Sequence, residues 1–249
     1  MKLSFVIPSF QDSRVLETID SIKKIKAPKK SIEIIIQDGG SQKKLLKKIE
    51  NKLSPIDKLF VEKDFGIFDG INRGLKNASG DLIATLGSDD RVFNLDWDQL
   101  LKKYKEGYNF IQYDIQYTDS NWKPIRYWRA RKLSIFRYIL GAQHAHFGLV
   151  CTPEIYEKIG YFNVNNKVNA DYEFFYNCIF NKSNFIIQDT ISKVFVQMKI
   201  GGNSSSNLPS IVKANFKILK FILKTNPLLV FGLILKPLHK LREFILIKI

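Results

Sequence analysis

Cysteine is nearly missing from this chain. Its two copies, Cys151 and Cys178, share no motif with each other or with histidine. That excludes a disulfide framework, and two buried free thiols are expected. Acid is scarce beside base: 39 Lys and Arg stand against 24 Asp and Glu, a net charge of +15. Such an imbalance calls for an anionic partner: nucleic acid, a phospholipid surface or a phosphorylated substrate. Long apolar runs are lacking too. No uncharged run in the tail approaches the roughly 20 residues that span a bilayer. The first apolar run, Leu3 to Ile7, is too short for a signal peptide and has no cleavage site after it, so a cytoplasmic chain is expected. Apolar residues are not lacking. They make up 45% of 249 residues, with 19 Phe, which excludes disorder and allows one large domain, or one domain with an appendage.

Short apolar runs and helical repeats alternate through the first ninety residues. Leu3 to Ile7, Ile32 to Ile36, Leu59 to Val61 and Leu82 to Leu86 read as strands. Arg14 to Ile25, the Leu45–Leu53 repeat and Phe68 to Lys76 read as helices between them. The alternation predicts an α/β fold with a parallel sheet and helices on both faces. The strands end in small or acidic residues: Pro8-Ser9, Asp38-Gly39-Gly40, Glu62-Lys63-Asp64 and Ser88-Asp89-Asp90. Turn chemistry explains the Gly and Ser. A crevice along the sheet's carboxyl edge, holding a nucleotide, also explains the acids.

Later elements are less regular. Phe110 to Tyr117 alternates and reads as a strand with one wet face. His144 to Cys151 suggests a strand, and Phe185 to Val196 suggests two short ones. Pro153 to Ile159 reads as a helix stopped by Gly160, and Asp171 to Phe180 as a helix with an acidic first turn. Gly201 to Ser206 reads as a mobile loop. Between 122 and 137 the chain is basic and aromatic; it is either a solvated loop or a grip on phosphate.

Asp89 and Asp90 form the sharpest chemical signal. Placed at the end of a buried strand, they repel each other unless a cation lies between them. Mg²⁺ or Mn²⁺ carrying phosphates suits two carboxylates. A solvated Asp-Asp turn is the plain alternative.

The motifs fall in a familiar order. They are Phe5 to Phe10, Ile35 to Ser41, Asp64 to Gly74, Ala78 to Asp81 leading to Ser88-Asp89-Asp90, His146 ahead of Glu157 to Phe162, Ala170 to Glu173, and Gly201 to Ser204. Over roughly residues 3–206 the chain resembles the inverting glycosyltransferases of family 2, which have the GT-A fold. It looks most like the branch that builds O-antigen and capsule repeats. The resemblance implies a Rossmann-like, mostly parallel sheet and a divalent metal, Mn²⁺ or Mg²⁺. It implies that Pro8 and Ser9 line a uracil and ribose pocket and that Asp38 accepts from the uracil. Gly39, Asp64, Gly66, Asn72, Ser88 and Asp89 would border the nucleotide sugar, and Asp89 and Asp90 the metal. His146 would touch metal, diphosphate or acceptor, or else be a core histidine. Gly87 stands where the family often has a first Asp, which leaves open which carboxylate ligates metal. Asp171 aligns with the catalytic base; Glu173, or a mere capping role for both, is the alternative.

The resulting expectation is transfer of a hexose from a UDP-sugar to a lipid-diphosphate-linked glycan at the inner face of the cytoplasmic membrane. The division is 1–210, the GT-A domain, and 211–249, a helical tail. That tail holds seven Lys, Arg242 and a single acid, Glu243. Lys213, Lys217, Lys220 and Lys224 share one face, which suits lying on an anionic leaflet. Packing on the core is the alternative. The rival function is a basic nucleic-acid- or phospholipid-binding α/β protein without transferase activity. Strand-end acids would repel nucleic-acid phosphate, and 122–137 matches no known reading module. A sugar-nucleotide pyrophosphorylase needs a Gly-rich loop where Pro8-Ser9-Phe10-Gln11 stands.

Overall fold

The computed structural model describes residues 1–166, 169–180, 183–200 and 208–245. The expected Gly201–Ser206 loop lies outside them. In chain order the elements are β1 (Leu3–Ser9), α1 (Val15–Lys23), β2 (Ile32–Asp38), α2 (Lys43–Glu50), β3 (Lys58–Val61), α3 (Ile67–Asn77) and β4 (Leu82–Thr85). Then come β5 (Arg91–Val92), α4 (Trp97–Lys105), β6 (Phe110–Thr118), β7 (Pro124–Trp128), α5 (Ile135–Ile139), β8 (Leu149–Cys151), α6 (Pro153–Ile159) and α7 (Ala170–Phe180). β9 (Gln188–Lys199), α8 (Leu208–Thr225) and α9 (Val230–Ile245) complete the described chain.

One sheet runs β3-β2-β1-β4-β8-β6-β9-β5, with β7 paired to β6. The first half is parallel, as the alternation predicts; Leu3 sits opposite Ile32 and Leu82. Antiparallel β8 joins β4 to β6 and makes the sheet mixed. Side-chain alternation splits the core into two layers. Phe5, Ile7, Ile34 and Leu82 face α1, α2 and α4, while Val6, Ile35 and Ile83 face α3, α6 and α7. Strands covered on both faces read as unbroken apolar runs, which is why these were legible.

Three expectations change in the second half. β6 has no wet face along its first six residues, because β8 and β9 flank it and helices cover it. Its polar residues find partners inside: Gln112 donates to the Ala145 carbonyl at 2.8 Å, and Asp114 accepts from Tyr127 and the Ala130 N–H. Of His144–Cys151 only Leu149–Cys151 is strand, preceded by a 3-10 turn at His146–Gly148. The two expected strands near 185–196 are one long strand, β9, whose register with β6 shifts around Asp114.

The tail is docked on the core. Ile218, Ile222 and Leu229 are buried in the second layer, and Ala214 is buried beside Asn169. Asn169 donates to the Ala214 carbonyl at 2.8 Å, and Gly141 lies so close to Gly232 that a Cβ on either would collide with backbone. Packing claims one side of the tail. Val212, Phe216, Leu223, Leu228, Phe231 and Ile234 stay in solvent. No described helix is long and apolar enough to cross a membrane.

A buried carboxylate ties the sheet's amino-terminal end together. Glu33 of β2 accepts from Ser4 and Ser79 and pairs with Lys2 at 3.1 Å and Lys58 at 3.3 Å. Burial alone would raise its pKa, but the bonds from Ser4, Ser79 and Lys2 outweigh that and hold it near 2, against an ordinary 4.5. A depressed carboxylate adds stability above its unfolded pKa, lost as pH falls through the folded value. Thermal melts of the parent should therefore lose Tm from about pH 4.5 down to about pH 2. Glu33→Gln should melt lower at pH 7 and show a flatter acid limb; an unchanged limb would show that Glu33 is not the group responsible.

Candidate active site

β4 ends where the chain must turn, and the turn closes on itself. Leu86 continues the ladder by donating to the Val6 carbonyl at 3.0 Å. The Gly87 N–H donates to the Asp90 carboxylate at 3.1 Å, and the Asp90 N–H to the Gly87 carbonyl at 3.3 Å. A Cβ at Gly87 would lie 2.7 Å from Asp90 Oδ2 and 3.2 Å from Asp89 Oδ1. Thus Gly87 is demanded by the folded-back carboxylates, which accounts for the missing first Asp of the motif. From α1, the Thr18 hydroxyl reaches the carbonyls of Ser88 at 2.9 Å and Asp90 at 2.6 Å, and fixes the turn from below.

The two acids differ in environment. Asp90 is 3% exposed. Burial, then the charge of Asp89, pushes its pKa up to about 8 against the pull of the Gly87 N–H and Arg14. The Asp89 side chain is 28% exposed and pairs with Arg14 at 3.1 Å. Arg14 also forks onto Asp12 at 2.8 and 2.9 Å, and Asp12 accepts from the Ser88 hydroxyl at 2.7 Å. Sequence reasoning missed this Asp12–Arg14 pair. It follows β1 directly, so the strand-end rule that drew attention to Asp38 and Asp90 could have found it.

A cavity of about 630 Å³ opens over the turn. It is lined by Pro8, Asp12, Arg14, Ser88, Asp89 and Asp90 from the first half of the chain and by Tyr117, Trp128, His146 and Asp171 from the second. The structure therefore places Asp171 and the acid pair on one cavity. Asp171 is half-buried at the start of α7; its carboxylate accepts from the Tyr172 N–H at 2.9 Å. Burial raises its pKa above the usual carboxylate range, opposed by backbone bonds and by Lys236 of α9. Glu173 faces elsewhere, accepting from Asn163 and Asn166 at 2.8 Å each. His146 packs edge-on against Phe162 at 4.5 Å, and its Nε2 lies 3.1 Å from the Thr85 hydroxyl. Burial drives its pKa to about 3, so it is a neutral imidazole.

The remaining predicted residues lie beside the cavity, not in its lining. Ser9 is buried, and its hydroxyl has no hydrogen-bond partner among the described residues. Asp38 is fully buried and accepts from the Gly40 and Ser41 N–H groups and the Ser41 hydroxyl. Asp64 lies over Gly39 and Gly70, where a Cβ would meet its carboxylate at 2.9 and 3.2 Å, and accepts from the Gly66 N–H. Both ends of the Asn72 amide are taken by Phe162, at 2.8 and 3.0 Å. Asn72 thus clamps α3 to the 160–162 segment.

The donor set also bears on metal. Among the described residues no three His, Cys, Asp or Glu side chains gather into a metal shell, so His146 does not complete one with Asp89 and Asp90. The two carboxylates alone fit Mn²⁺ or Mg²⁺ whose remaining ligands are phosphate oxygens.

Because Asp90 binds its proton more tightly folded than unfolded, its ionisation costs stability. Between about pH 3.8 and pH 8 the fold should lose stability from this group as pH rises. Asp90→Asn removes the loss. Denaturant titration should find the variant more stable than the parent at pH 8, with the gap closing toward pH 4; a constant gap would contradict the buried acid.

A profile described as "Glycosyl transferase family 2" matches residues 4–168. A "PGL/p-HBAD biosynthesis glycosyltransferase" of Mycobacterium bovis is 25% identical over 72% of this chain and 70% of its own. A "GalNAc(5)-diNAcBac-PP-undecaprenol beta-1,3-glucosyltransferase" of Campylobacter jejuni is 30% identical over 44% of this chain and 37% of its own. S. aureus TarS superposes with TM-score 0.63 at 17% identity, covering 91% of this chain but only 40% of TarS. Its 1–349 fragment, solved in complex with UDP, gives a TM-score of 0.62 and is covered over 67% of its length. The fold is GT-A, and the chain belongs to glycosyl transferase family 2.

Proposed function

We propose that this glycosyltransferase moves a hexose from a UDP-sugar onto a hydroxyl of a lipid-diphosphate-linked glycan, with inversion at the sugar. We infer that it works while bound peripherally to the inner face of the cytoplasmic membrane. The observation that carries this reading is the shared cavity, lined by Asp89, Asp90 and Asp171 together. The lipid-diphosphate glycan in the name of the Campylobacter relative supports the acceptor class. The UDP complex of TarS supports the donor class. The excess positive charge suits both substrates and an anionic leaflet.

The chemistry follows from charge. Breaking the bond from the anomeric carbon to the diphosphate leaves negative charge on the departing UDP and positive charge on the sugar. Asp89 and Asp90 would hold a divalent ion that screens the diphosphate. Arg14, already on Asp89, adds a cation at the same edge. Asp171 takes the proton of the acceptor hydroxyl as its oxygen bonds to the anomeric carbon from the face opposite the leaving group. One displacement inverts the centre and needs no covalent enzyme intermediate. Burial raises the pKa of Asp171 and makes it a stronger base than an exposed carboxylate, which suits proton removal from a hydroxyl. The neutral His146 lines the cavity without adding charge.

Asp171→Asn should lower transfer by about 10²- to 10⁴-fold while UDP binding, measured by calorimetry, stays as in the parent. In the parent, the rate should climb with pH to a plateau through a pKa above 3.8, and the variant should lack that limb. Normal turnover by the variant would refute the assignment. Asp90→Ala should weaken UDP binding in Mn²⁺ and change it little in chelator; equal losses in both would remove the metal role.

A further inference from the structure

We propose that α5 and the tail together form one bilayer-docking surface, and that this surface sits directly behind the helix that carries Asp171. The inference rests on the reading above that the acceptor is lipid-linked. It adds α5, which belongs to the basic, aromatic middle of the chain.

α5 packs against the tail. Gly141, just past α5, meets Gly232 of α9 backbone to backbone. That side of α5 buries Tyr138 and half-buries Ile139, but it leaves the first two apolar side chains in water. Ile135 is 51% exposed and Phe136 70%, beside Phe231 at 63% and Ile234 at 68%. Eight of the 18 large apolar side chains exposed among the described residues lie on α5, α8, α9 and the 3-10 turn at Pro227–Leu229, and a ninth, Leu140, directly follows α5. Apolar patches left in water on a folded chain mark contact sites.

Charge selects the occupant. From Thr190 to Arg242 the sequence has no acid, while Lys213, Lys220 and Lys224 are exposed on α8 and Arg137 on α5. Apolar side chains interleaved with exposed cations match an anionic leaflet, into which a helix sinks without crossing. The absence of a spanning helix among the described residues agrees with lying on the membrane.

The surface is wired to the site. The Tyr138 hydroxyl of α5 donates to the Tyr172 carbonyl at 3.1 Å, next to Asp171. From α8, Phe221 meets the rings of Tyr172 and Tyr176 edge-on at 6.1 and 5.1 Å. Docking of α5, α8 and α9 on a leaflet therefore brings the start of α7 near the lipid headgroups. An acceptor tethered by its lipid diphosphate then reaches Asp171 without leaving the membrane.

Flotation with phosphatidylcholine vesicles, with and without phosphatidylglycerol, tests the proposal. The parent should float with the anionic vesicles and far less with the neutral ones. Ile135→Asn with Phe136→Asn, and separately Phe231→Asn with Ile234→Asn, should each lower partition about tenfold or more. Both pairs should keep the parent's UDP affinity and Tm, since these side chains are in solvent. Lys213→Gln with Lys224→Gln removes charge and keeps every apolar side chain, including Phe216 beneath the Lys220 ammonium, and should sharply reduce the preference for phosphatidylglycerol. If only the α9 pair loses binding, the tail docks alone; this inference falls and the peripheral reading stands. If neither pair loses binding, the apolar face is not used and the inference falls. If the parent binds neither vesicle, both readings fall, and if it instead forms a dimer that the same pairs dissolve, the face is a self-interface.

Discussion

A buried acid beside a second acid is the constraint on which the rest of this molecule turns. Asp90 lies at the end of a strand covered on both faces, where water cannot screen it from Asp89. The folded chain answers with the Gly87 N–H and with Arg14, and these leave the Asp90 pKa near 8. Near neutral pH Asp90 therefore holds a proton that a divalent ion would displace. Gly87, Thr18, Asp12 and Arg14 are all arranged to hold that state, and Gly87 cannot gain a Cβ without breaking it.

The second half of the sheet exists to bring other groups to the same cavity. Antiparallel β8 reverses the chain after the 3-10 turn at His146, so that His146 lies beside Thr85 of β4. β6, with β7 beside it, contributes Tyr117 and Trp128, whose rings stack at 6.4 Å. α7 contributes Asp171 and is held by contacts from α5 and α8. The tail thus supports the helix that carries Asp171, and a strict boundary at residue 210 divides packed neighbours.

The first ninety residues were legible because a buried parallel strand is a short apolar run closed by Gly, Pro or Asp. β6 was misread because Gln112 and Asp114 look like a wet face while their partners, Ala145, Tyr127 and Ala130, lie elsewhere in the chain. The same distance hid Asp12, whose partner Ser88 is 76 residues on. Asn72 shows the opposite failure. It sits inside a motif that pointed to the donor, yet its amide is spent on the Phe162 backbone. Periodicity reports burial well. It does not report which polar group another polar group will find.

The central claim is geometric, and a crystal structure with a non-hydrolysable UDP-sugar and Mn²⁺ measures it directly. The account predicts the diphosphate and metal against Asp89 and Asp90, with Asp171 on the opposite face of the anomeric carbon. A nucleotide bound with its diphosphate away from that pair, or with Asp171 on the leaving-group side of the sugar, would contradict it.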